Sequence, residues 1–110
     1  MQQFHKMNAY YERDDIRNCF HIYSYNTYMG AIYDDGVHCV HDYRGVTTQK
    51  QMIRFFKEFC GIKTANAYKK ARAFYRNCQQ RYKLDTMYLF CDTYCKVYAS
   101  DKTVKTKYFK

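Results

Sequence analysis

The sequence predicts one α+β domain spanning residues 1–110, in which strands come first, two helices follow and further strands complete the chain. Two observations predict this class. Segments rich in aromatic and β-branched residues lie within 19–41 and 86–109, as is typical of strands. Between them, apolar residues recur every three or four positions, as on the buried face of a helix. A third observation, the absence of proline, indicates few rigid loops or linkers.

The first hairpin is expected in the N-terminal half. Residues 1–18 are polar and charged, which favours a short helix or an ordered arm. Residues 19–25 (CFHIYSY) and 28–33 are expected to be strands. The sequence Asp-Asp-Gly at 34–36 is the strongest turn signal in the chain, because glycine accepts the positive φ that tight hairpin turns require. Residues 37–41 then form the returning strand.

Helix signals begin near residue 47. Thr48 is expected to cap a helix over 49–60, because its hydroxyl can accept from free backbone N–H groups and Gln51 follows three positions later, as in a capping box. Gly61 suits the position just after the last helical turn. A second helix is expected over 65–83, with apolar residues on one side and cations on the other.

The C-terminal part is extended again. Strands are expected over 86–91, 95–99 and 104–109, and the last two form a hairpin. The predicted fold is therefore a small antiparallel sheet, made of an N-terminal hairpin and a C-terminal hairpin, packed with two α-helices.

The charge of the chain indicates the kind of partner. Nineteen Lys and Arg residues against ten Asp and Glu residues give a formal charge of +9. This sign favours an acidic partner, such as nucleic acid or an acidic protein surface. The start of the chain lacks the apolar region of a signal peptide, and no apolar stretch approaches the roughly 18 residues of a membrane span. We therefore expect no membrane contact and a cytoplasmic location, where thiols stay reduced.

Four of the six cysteines predict a zinc site. Cys91 and Cys95 form a C-x3-C pair, a spacing that zinc knuckles use. If the two helices are antiparallel, Cys60 at the end of the first and Cys78 on the inward side of the second come near that pair. Four thiolates suit tetrahedral Zn²⁺, which would tie both helices to the C-terminal sheet. The alternative is that Cys60 and Cys78 are small core residues and the C-x3-C spacing is incidental.

A second group of possible metal ligands lies on the first predicted sheet. Cys39 and His41 share one strand face, whereas His38 points to the other. Cys19 or His21 on a neighbouring strand can join the first pair. Such residues are more often ordinary occupants of a sheet, so this group is the weaker metal candidate.

Catalytic machinery is not indicated. Cysteine and histidine are present, but no local signature supplies an oxyanion hole or an orienting third residue. There is no glycine-rich phosphate loop, and the four glycines fall at turn positions. The adjacent carboxylates at 14–15 and 34–35 diverge from one another. We expect a protein that is not an enzyme.

The second predicted helix carries a basic face that we expect to bind a partner. Its cations fall on the side opposite the apolar residues, and they are Lys69, Arg72, Arg76 and Lys83. Together with some of the 14 tyrosines, such cations can hold phosphates and stack on single-stranded bases. Tyr and Arg are also enriched in protein interfaces, so both kinds of partner remain open.

A resemblance to a known group of proteins covers residues 24–60. The segment has the pattern S-Y-x-T, an apolar strand, D-x-G, and V-T-T-x-K opening an amphipathic helix. The matching residues are Ser24, Tyr25, Thr27, Asp34, Gly36, Val46, Thr47, Thr48 and Lys50. This pattern resembles small phage and mobile-element proteins of low-GC Gram-positive bacteria. Several phage proteins of this size and style look like anti-CRISPR proteins, including Cas9 inhibitors of type II-A systems.

The resemblance implies a stoichiometric binder without enzymatic activity, a monomer or weak dimer in the host bacterial cytosol, with Cas9 or another host nuclease as partner. Many such inhibitors are acidic and mimic DNA, whereas a charge of +9 excludes that kind of mimicry. A Cas9 inhibitor of this charge is expected to bind an acidic protein surface, block nucleic-acid loading, or touch the guide RNA.

Three hypotheses follow from the sequence. The first is a phage-derived, zinc-containing inhibitor of a host CRISPR nuclease, most plausibly Cas9, that acts by direct binding. The alternative is a basic nucleic-acid-binding module that uses Lys, Arg and Tyr surfaces. The third is a phage structural or assembly protein.

Overall fold

The described residues of the protein form one antiparallel sheet of eight strands with two helices, which confirms the α+β class. The computed structural model describes residues 1–42, 45–78, 86–100 and 104–108, and of Asn77 and Cys78 it describes the backbone only. The strands are β1 Gln2–Gln3, β2 Ala9–Asp14, β3 Cys19–Ser24, β4 Thr27–Tyr33, β5 His38–His41, β6 Met87–Phe90, β7 Tyr94–Tyr98 and β8 Val104–Tyr108. The helices α1 Val46–Phe59 and α2 Ile62–Cys78 lie between β5 and β6 in the chain.

The strands follow one another across the sheet in sequence order, so each pairs with its chain neighbours. The sheet is larger than the two predicted hairpins because β5 and β6 pair directly, which joins the N-terminal and C-terminal strands into one sheet. The connection between these two strands contains both helices, and the helices therefore cover one face of the sheet.

The prediction of a helix or arm over residues 1–18 is wrong. Residues 2–3 and 9–14 are strands, and β2 pairs with β3 along its whole length. Side chains of β2 alternate between the two faces, with Tyr11 packed against the core and Glu12 exposed. Composition alone concealed this strand, because most of its side chains are polar or only half-buried.

The predicted turn at 34–36 is confirmed. Gly36 has a φ of 92°, and its N–H donates to the Tyr33 carbonyl oxygen at 3.2 Å. Gly30 is required for a different reason. It lies on β4 next to the register shift between β3 and β4, and its φ is 148°. A Cβ at Gly30 would overlap the carbonyl oxygen of Cys39 on β5.

Both helices are present where the periodicity predicts them, but each begins three residues earlier than predicted, α1 at Val46 and α2 at Ile62. Gly45 is the N-cap of α1 and no side chain caps this helix, so the predicted Thr48–Gln51 capping box is wrong. The Thr48 hydroxyl instead lies 3.4 Å from that of Ser24, and the Gln51 side chain is buried and donates to the Asn8 carbonyl oxygen. Gly61, with a φ of 92°, follows α1 as predicted. Residues 79–83 of the second predicted helix lie outside the described residues.

We call the face of the sheet that packs on α1 and α2 the inner face. Its central row, Ile22, Val40, Tyr88 and Val97, is almost completely buried. Aromatic contacts join this face to the helices, as in the stacking of Phe20 on Phe59. Burial of this apolar surface is the main stabilising contribution.

The opposite side, the outer face, carries the side chains that alternate with the inner rows. We call six of its tyrosines the outer tyrosine face: they are Tyr10, Tyr23, Tyr28, Tyr33, Tyr94 and Tyr98. A further tyrosine, Tyr108, pairs with Tyr94 on the edge strand β8 and is not counted in this face. Neither α1 nor α2 covers this side, because both pack on the inner rows. Most of these rings are half-buried by one another and by neighbouring strands, and Tyr28 is exposed.

Candidate metal centre

A cluster of an aspartate, a cysteine and a histidine lies on the outer face where β2 and β3 pair. Asp14 ends β2 and is paired with Cys19, the first residue of β3. His21 lies two residues along β3, so its side chain points to the same face as that of Cys19. The ligand atoms of the three side chains all lie within 4.8 Å of one another, so this group could hold a metal ion.

The histidine ring occupies the centre of the cluster. Its Nε2 lies 2.9 Å from Asp14 Oδ2 and 3.7 Å from Cys19 Sγ. Its Nδ1 lies 2.9 Å from the Tyr28 hydroxyl. With Nδ1–H donating to Tyr28, the lone pair of Nε2 points at the carboxylate and the thiol, and this is the outer-shell arrangement that orients histidine ligands in metal sites.

The distances suit a small tetrahedral ion. With ordinary zinc bond lengths, tetrahedral geometry separates a nitrogen and a sulfur ligand by about 3.6 Å and a nitrogen and an oxygen ligand by about 3.4 Å. The Nε2–Sγ distance of 3.7 Å already matches the first value. The Nε2–Oδ2 distance of 2.9 Å must open by about 0.5 Å, which a small rotation of the carboxylate provides.

The electrostatics keep the carboxylate ionised. The hydrogen bond with His21, followed by donation from the Arg17 backbone and guanidinium, holds the pKa of Asp14 well below its usual range. Asp14 Oδ1 accepts from the N–H groups of Ile16 and Arg17 at 3.1 and 3.0 Å, which fixes the turn between β2 and β3. One negatively charged ligand is therefore present before any ion binds.

The thiol and the phenol are neutral at ordinary pH. Burial, followed by the nearby Asp14 charge, raises the pKa of Cys19. Burial also raises the pKa of Tyr28 to about 12. A metal ion must therefore displace the thiol proton of Cys19 when it binds. In the absence of a metal ion, the other tautomer of His21, with its proton on Nε2, can donate a hydrogen bond to the Asp14 carboxylate.

The donor set is one nitrogen, one oxygen and one sulfur, which is within the range that zinc accepts. Three protein ligands leave one tetrahedral position for another group. The side chains of Asp14 and His21 are 13% and 21% exposed, so water or a partner's side chain can approach the cluster.

The four predicted zinc ligands lie elsewhere. Cys60 follows α1 with its Sγ 3.9 Å from His38 Nδ1, Cys91 follows β6, and Cys95 is fully buried on the inner face. Burial raises the pKa of Cys60 and of Cys95 to about 12. Within the described residues these three cysteines do not form a compact group of ligands. The side chain of Cys78 lies outside the description, and the four-thiolate site stays a prediction.

The weaker of the two predicted metal groups supplies two of the three clustered residues. Cys19 and His21 come together, whereas the Cys39 thiol donates to the Met87 sulfur at 3.2 Å and His38 is buried against Phe56. Sequence reasoning missed Asp14, because residues 1–18 were interpreted as a helix or arm. The local sequence gives no clear signal for this strand, because Arg13 is charged and exposed where an alternating pattern would place an apolar residue.

Only some of the cations on the predicted basic face of α2 are exposed to solvent. Lys69 is exposed, but Arg72 is buried, and its Nε donates to Asp42 Oδ1 at 2.7 Å. Arg76 is half-buried and donates to the same carboxylate at 3.1 Å. The prediction that Arg72 is exposed is therefore wrong. Its guanidinium is buried because it forms an ion pair with the Asp42 carboxylate. Lys83 lies outside the described residues.

Comparison of the chain with protein-family models, with curated proteins and with solved structures finds no match. Across the described ranges, no helix combines the length and apolar character that crossing a membrane requires. The functional assignment therefore depends on the residues of the chain itself.

Proposed function

We propose that this protein is a stoichiometric inhibitor that binds a host nuclease, most plausibly Cas9, through its outer tyrosine face, and that it carries a zinc ion at Asp14, Cys19 and His21. The observation that carries the proposal is the outer tyrosine face, an aromatic surface on the side of the sheet that the helices leave uncovered.

The chemistry of this face supports a protein partner. Around the tyrosines, its strands present the half-buried residues Cys39, Met87 and Leu89. The Asp, Glu, Lys and Arg side chains that these strands place on the outer face are few: Glu12, Asp14 and Lys96. Aromatic residues and methionine are enriched in protein interfaces and charged residues are depleted at their centres. Tyrosine is also among the residues that contribute most binding energy, because it buries a large ring and keeps a polar hydroxyl.

The metal centre belongs to the same surface. His21 connects the cluster to Tyr28 through the 2.9 Å hydrogen bond, and the Tyr28 ring contacts Tyr23 with centroids 5.5 Å apart. A bound Zn²⁺ fixes the ends of β2 and β3 and thereby holds these rings in one arrangement, which lowers the entropy cost of binding. Zinc is the proposed ion because the N, O and S donors suit it and a reducing cytosol keeps the thiol available.

The resemblance of residues 24–60 to phage proteins that look like anti-CRISPR proteins supplies the identity of the partner. When the outer tyrosine face is bound, α1 and α2 point away from the contact. These helices carry eight Lys and Arg residues against one acidic residue, Glu58. Bound in this way, the protein blocks nucleic-acid loading sterically and places positive charge near guide or target phosphates.

The test is a cleavage assay with guide-loaded Cas9 and increasing amounts of the protein. We expect inhibition that is complete near one equivalent, as for a stoichiometric binder. The double variant Tyr23→Ala/Tyr28→Ala is expected to require about tenfold more protein for the same inhibition. Phe74→Ala is the matched control, because Phe74 is 44% exposed on α2 and Tyr28 is 39% exposed on β4. Full cleavage in the presence of a large excess of the wild-type protein contradicts the proposal.

The second candidate function is nucleic-acid binding, which the cations of the two helices favour. Lys50, Lys57, Lys63, Lys69 and Lys70 are all exposed on this side. Binding of this kind weakens steeply with salt, because each neutralised phosphate releases a counterion. Filter binding of a single-stranded oligonucleotide at two salt concentrations tests it, and an affinity that does not change with salt contradicts it.

A further inference from the structure

A cavity of about 670 Å³ lies between the first half of α2, the turn after β6 and the edge strand β8. Its polar and charged lining includes Lys63, Asn66, Lys70, Cys91, Asp92 and Lys107. This volume falls within the range of small-molecule sites, which is roughly 300–1,000 Å³. The cavity lies at the C-terminal end of the sheet and shares no lining residue with the cluster at Asp14, Cys19 and His21.

Positive charge converges on this cavity from two distant parts of the chain. Lys63 and Lys70 lie about two turns apart on one side of α2, and Lys107 comes from β8. Asp92 is the carboxylate in the lining, so the cations exceed the acids by two. An anion bound among these lysines is attracted by all three of them. Lys107 Nζ also lies 4.4 Å from the centre of the Phe74 ring, a cation–π contact that holds this cation beside the cavity. Neighbouring Lys69 does not line the cavity, although it is exposed on the same helix.

The backbone adds further positive potential beside these lysines. The thiol of Cys91 receives hydrogen bonds from the backbone N–H groups of Thr93 and Tyr94. Burial by itself would raise the pKa of Cys91, but these donors, together with the side chains of Thr93 and Tyr94, outweigh burial and lower it. Negative charge at Cys91, in the lining of the cavity, is therefore stabilised beside the three lysines.

The other lining residues indicate the chemistry of the part of the ligand that is not charged. Thr64 and Asn66 offer hydrogen-bonding side chains, whereas Ala67 and Phe90 provide apolar walls. An anion alone would leave much of this volume unfilled. We infer that the cavity binds a phosphate-bearing small molecule of nucleotide size, with its phosphates among Lys63, Lys70 and Lys107. This site is independent of the outer tyrosine face and of the proposed inhibition.

The test is calorimetric titration of the full-length protein with ATP, inorganic phosphate and adenosine at low salt. Saturable binding of ATP is expected, with weaker binding of phosphate and none of adenosine. The reason is that the phosphates and the nucleoside part of the ligand both contribute to the affinity. Lys70→Gln is expected to weaken ATP binding by about tenfold, since it removes one charged hydrogen-bond donor. Lys69→Gln is the matched control and is expected to bind ATP as the wild type does. Both positions are exposed, so both variants are expected to fold.

Two results would overturn the inference. One is the absence of saturable ATP binding, and the other is an equal loss of affinity in Lys69→Gln and Lys70→Gln, which indicates diffuse attraction to the helix cations. An independent readout uses Cys91: ATP is expected to slow alkylation of this thiol by iodoacetamide, measured by mass spectrometry, and unchanged alkylation contradicts the site. Cas9 inhibition is measured separately, so failure of either proposal is distinguishable from failure of the other.

Discussion

The two sides of this molecule have opposite chemistry although one sheet separates them. On the helix side, α1 and α2 carry most of the positive charge of the described residues, with eight Lys and Arg residues against Glu58. On the outer side, tyrosines and a small cluster of side chains that could hold a metal ion occupy strands with few charges. Most of the helix cations and the outer tyrosines therefore lie on different surfaces, although Lys96 lies over the Tyr94 ring at 5.5 Å on the outer side and Lys107 over the Phe74 ring at 4.4 Å on the helix side. This separation favours binding of a protein partner on the outer side, whereas any binding of nucleic acid is expected on the helix side.

The largest expected effect concerns the buried charges that hold α2 to the loop after β5. Asp42→Asn removes the carboxylate that pairs with Arg72 and Arg76. Because Arg72 is then buried without a counter-charge, the free energy of unfolding is expected to fall by about 4 kcal/mol. Urea denaturation followed by circular dichroism measures the change.

Arg76→Gln is the control for that variant, because the Arg76 side chain is 31% exposed whereas that of Arg72 is 9% exposed. We expect this substitution to cost about 1 kcal/mol. An Asp42→Asn protein as stable as the wild type would show that these ion pairs do not hold the helix layer on the sheet.

The next effect concerns the sheet that both sides share. Gly30→Ala places a methyl group against the Cys39 carbonyl oxygen and Val40 Cα, at a φ of 148°. The overlap and the strained backbone are expected to lower the free energy of unfolding by about 3 kcal/mol. Gly61→Ala isolates the backbone contribution, because Gly61 has a φ of 92° and nothing within 4 Å of an added Cβ. Equal losses in both variants, measured by urea denaturation, would contradict the role of close strand approach at Gly30.

The third prediction separates the two candidate zinc sites. Saturating Zn²⁺ is expected to stabilise the wild-type protein, by about 2.7 kcal/mol at a hundred times the dissociation constant. Cys19→Ser is expected to abolish this stabilisation, because it removes the sulfur ligand beside His21. Thermal melting with and without Zn²⁺, after treatment with a chelator, measures the effect.

Cys91→Ser is the control for the zinc prediction. It leaves the Asp14–Cys19–His21 cluster unchanged and is expected to respond to Zn²⁺ as the wild type does. Loss of the zinc response in Cys91→Ser but not in Cys19→Ser supports the four-thiolate site and contradicts the cluster on the outer face.

The smallest effect is a pH dependence on the helix side. His5 hydrogen-bonds to Glu58 at 2.6 Å, and this bond, followed by the His5 and Arg54 charges, lowers the pKa of Glu58. A carboxyl group with a lowered folded-state pKa stabilises the protein above its unfolded pKa of about 4.3, and the contribution is lost as the pH falls. Glu58→Gln is therefore expected to be less stable than the wild type at pH 7, with a difference that narrows below about pH 4. Glu12→Gln is the control, and a difference that stays constant with pH contradicts the prediction.

Sequence reasoning predicted the elements with strong periodicity and missed those defined by pairing. The six strands after residue 18 and both helices agree with the structure, because alternation, the turn at Gly36 and the helical spacing of Met52, Phe56 and Phe59 are local signals. The strand β2 was missed because its pairing with β3, rather than its composition, makes it a strand.

The candidate site was harder to predict for the same reason. Asp14 and Cys19 are five positions apart in sequence, and only the register of β2 on β3 places them opposite one another. Likewise, Arg72 belongs to the polar side of α2 by its position, yet the Asp42 carboxylate from the loop after β5 determines its burial. Contacts between distant segments decide both cases, and no local pattern reports them.

Side-chain footprinting of the complex with guide-loaded Cas9 tests most directly whether the outer face is the binding surface. Hydroxyl radicals oxidise exposed aromatic side chains, and mass spectrometry reports the rate at each one. The rates at Tyr23 and Tyr28 are predicted to fall when the complex forms, while the rate at Phe74 on α2 stays unchanged. Protection of Phe74 with undiminished oxidation of Tyr23 and Tyr28 would place the contact on the helix side and contradict this account.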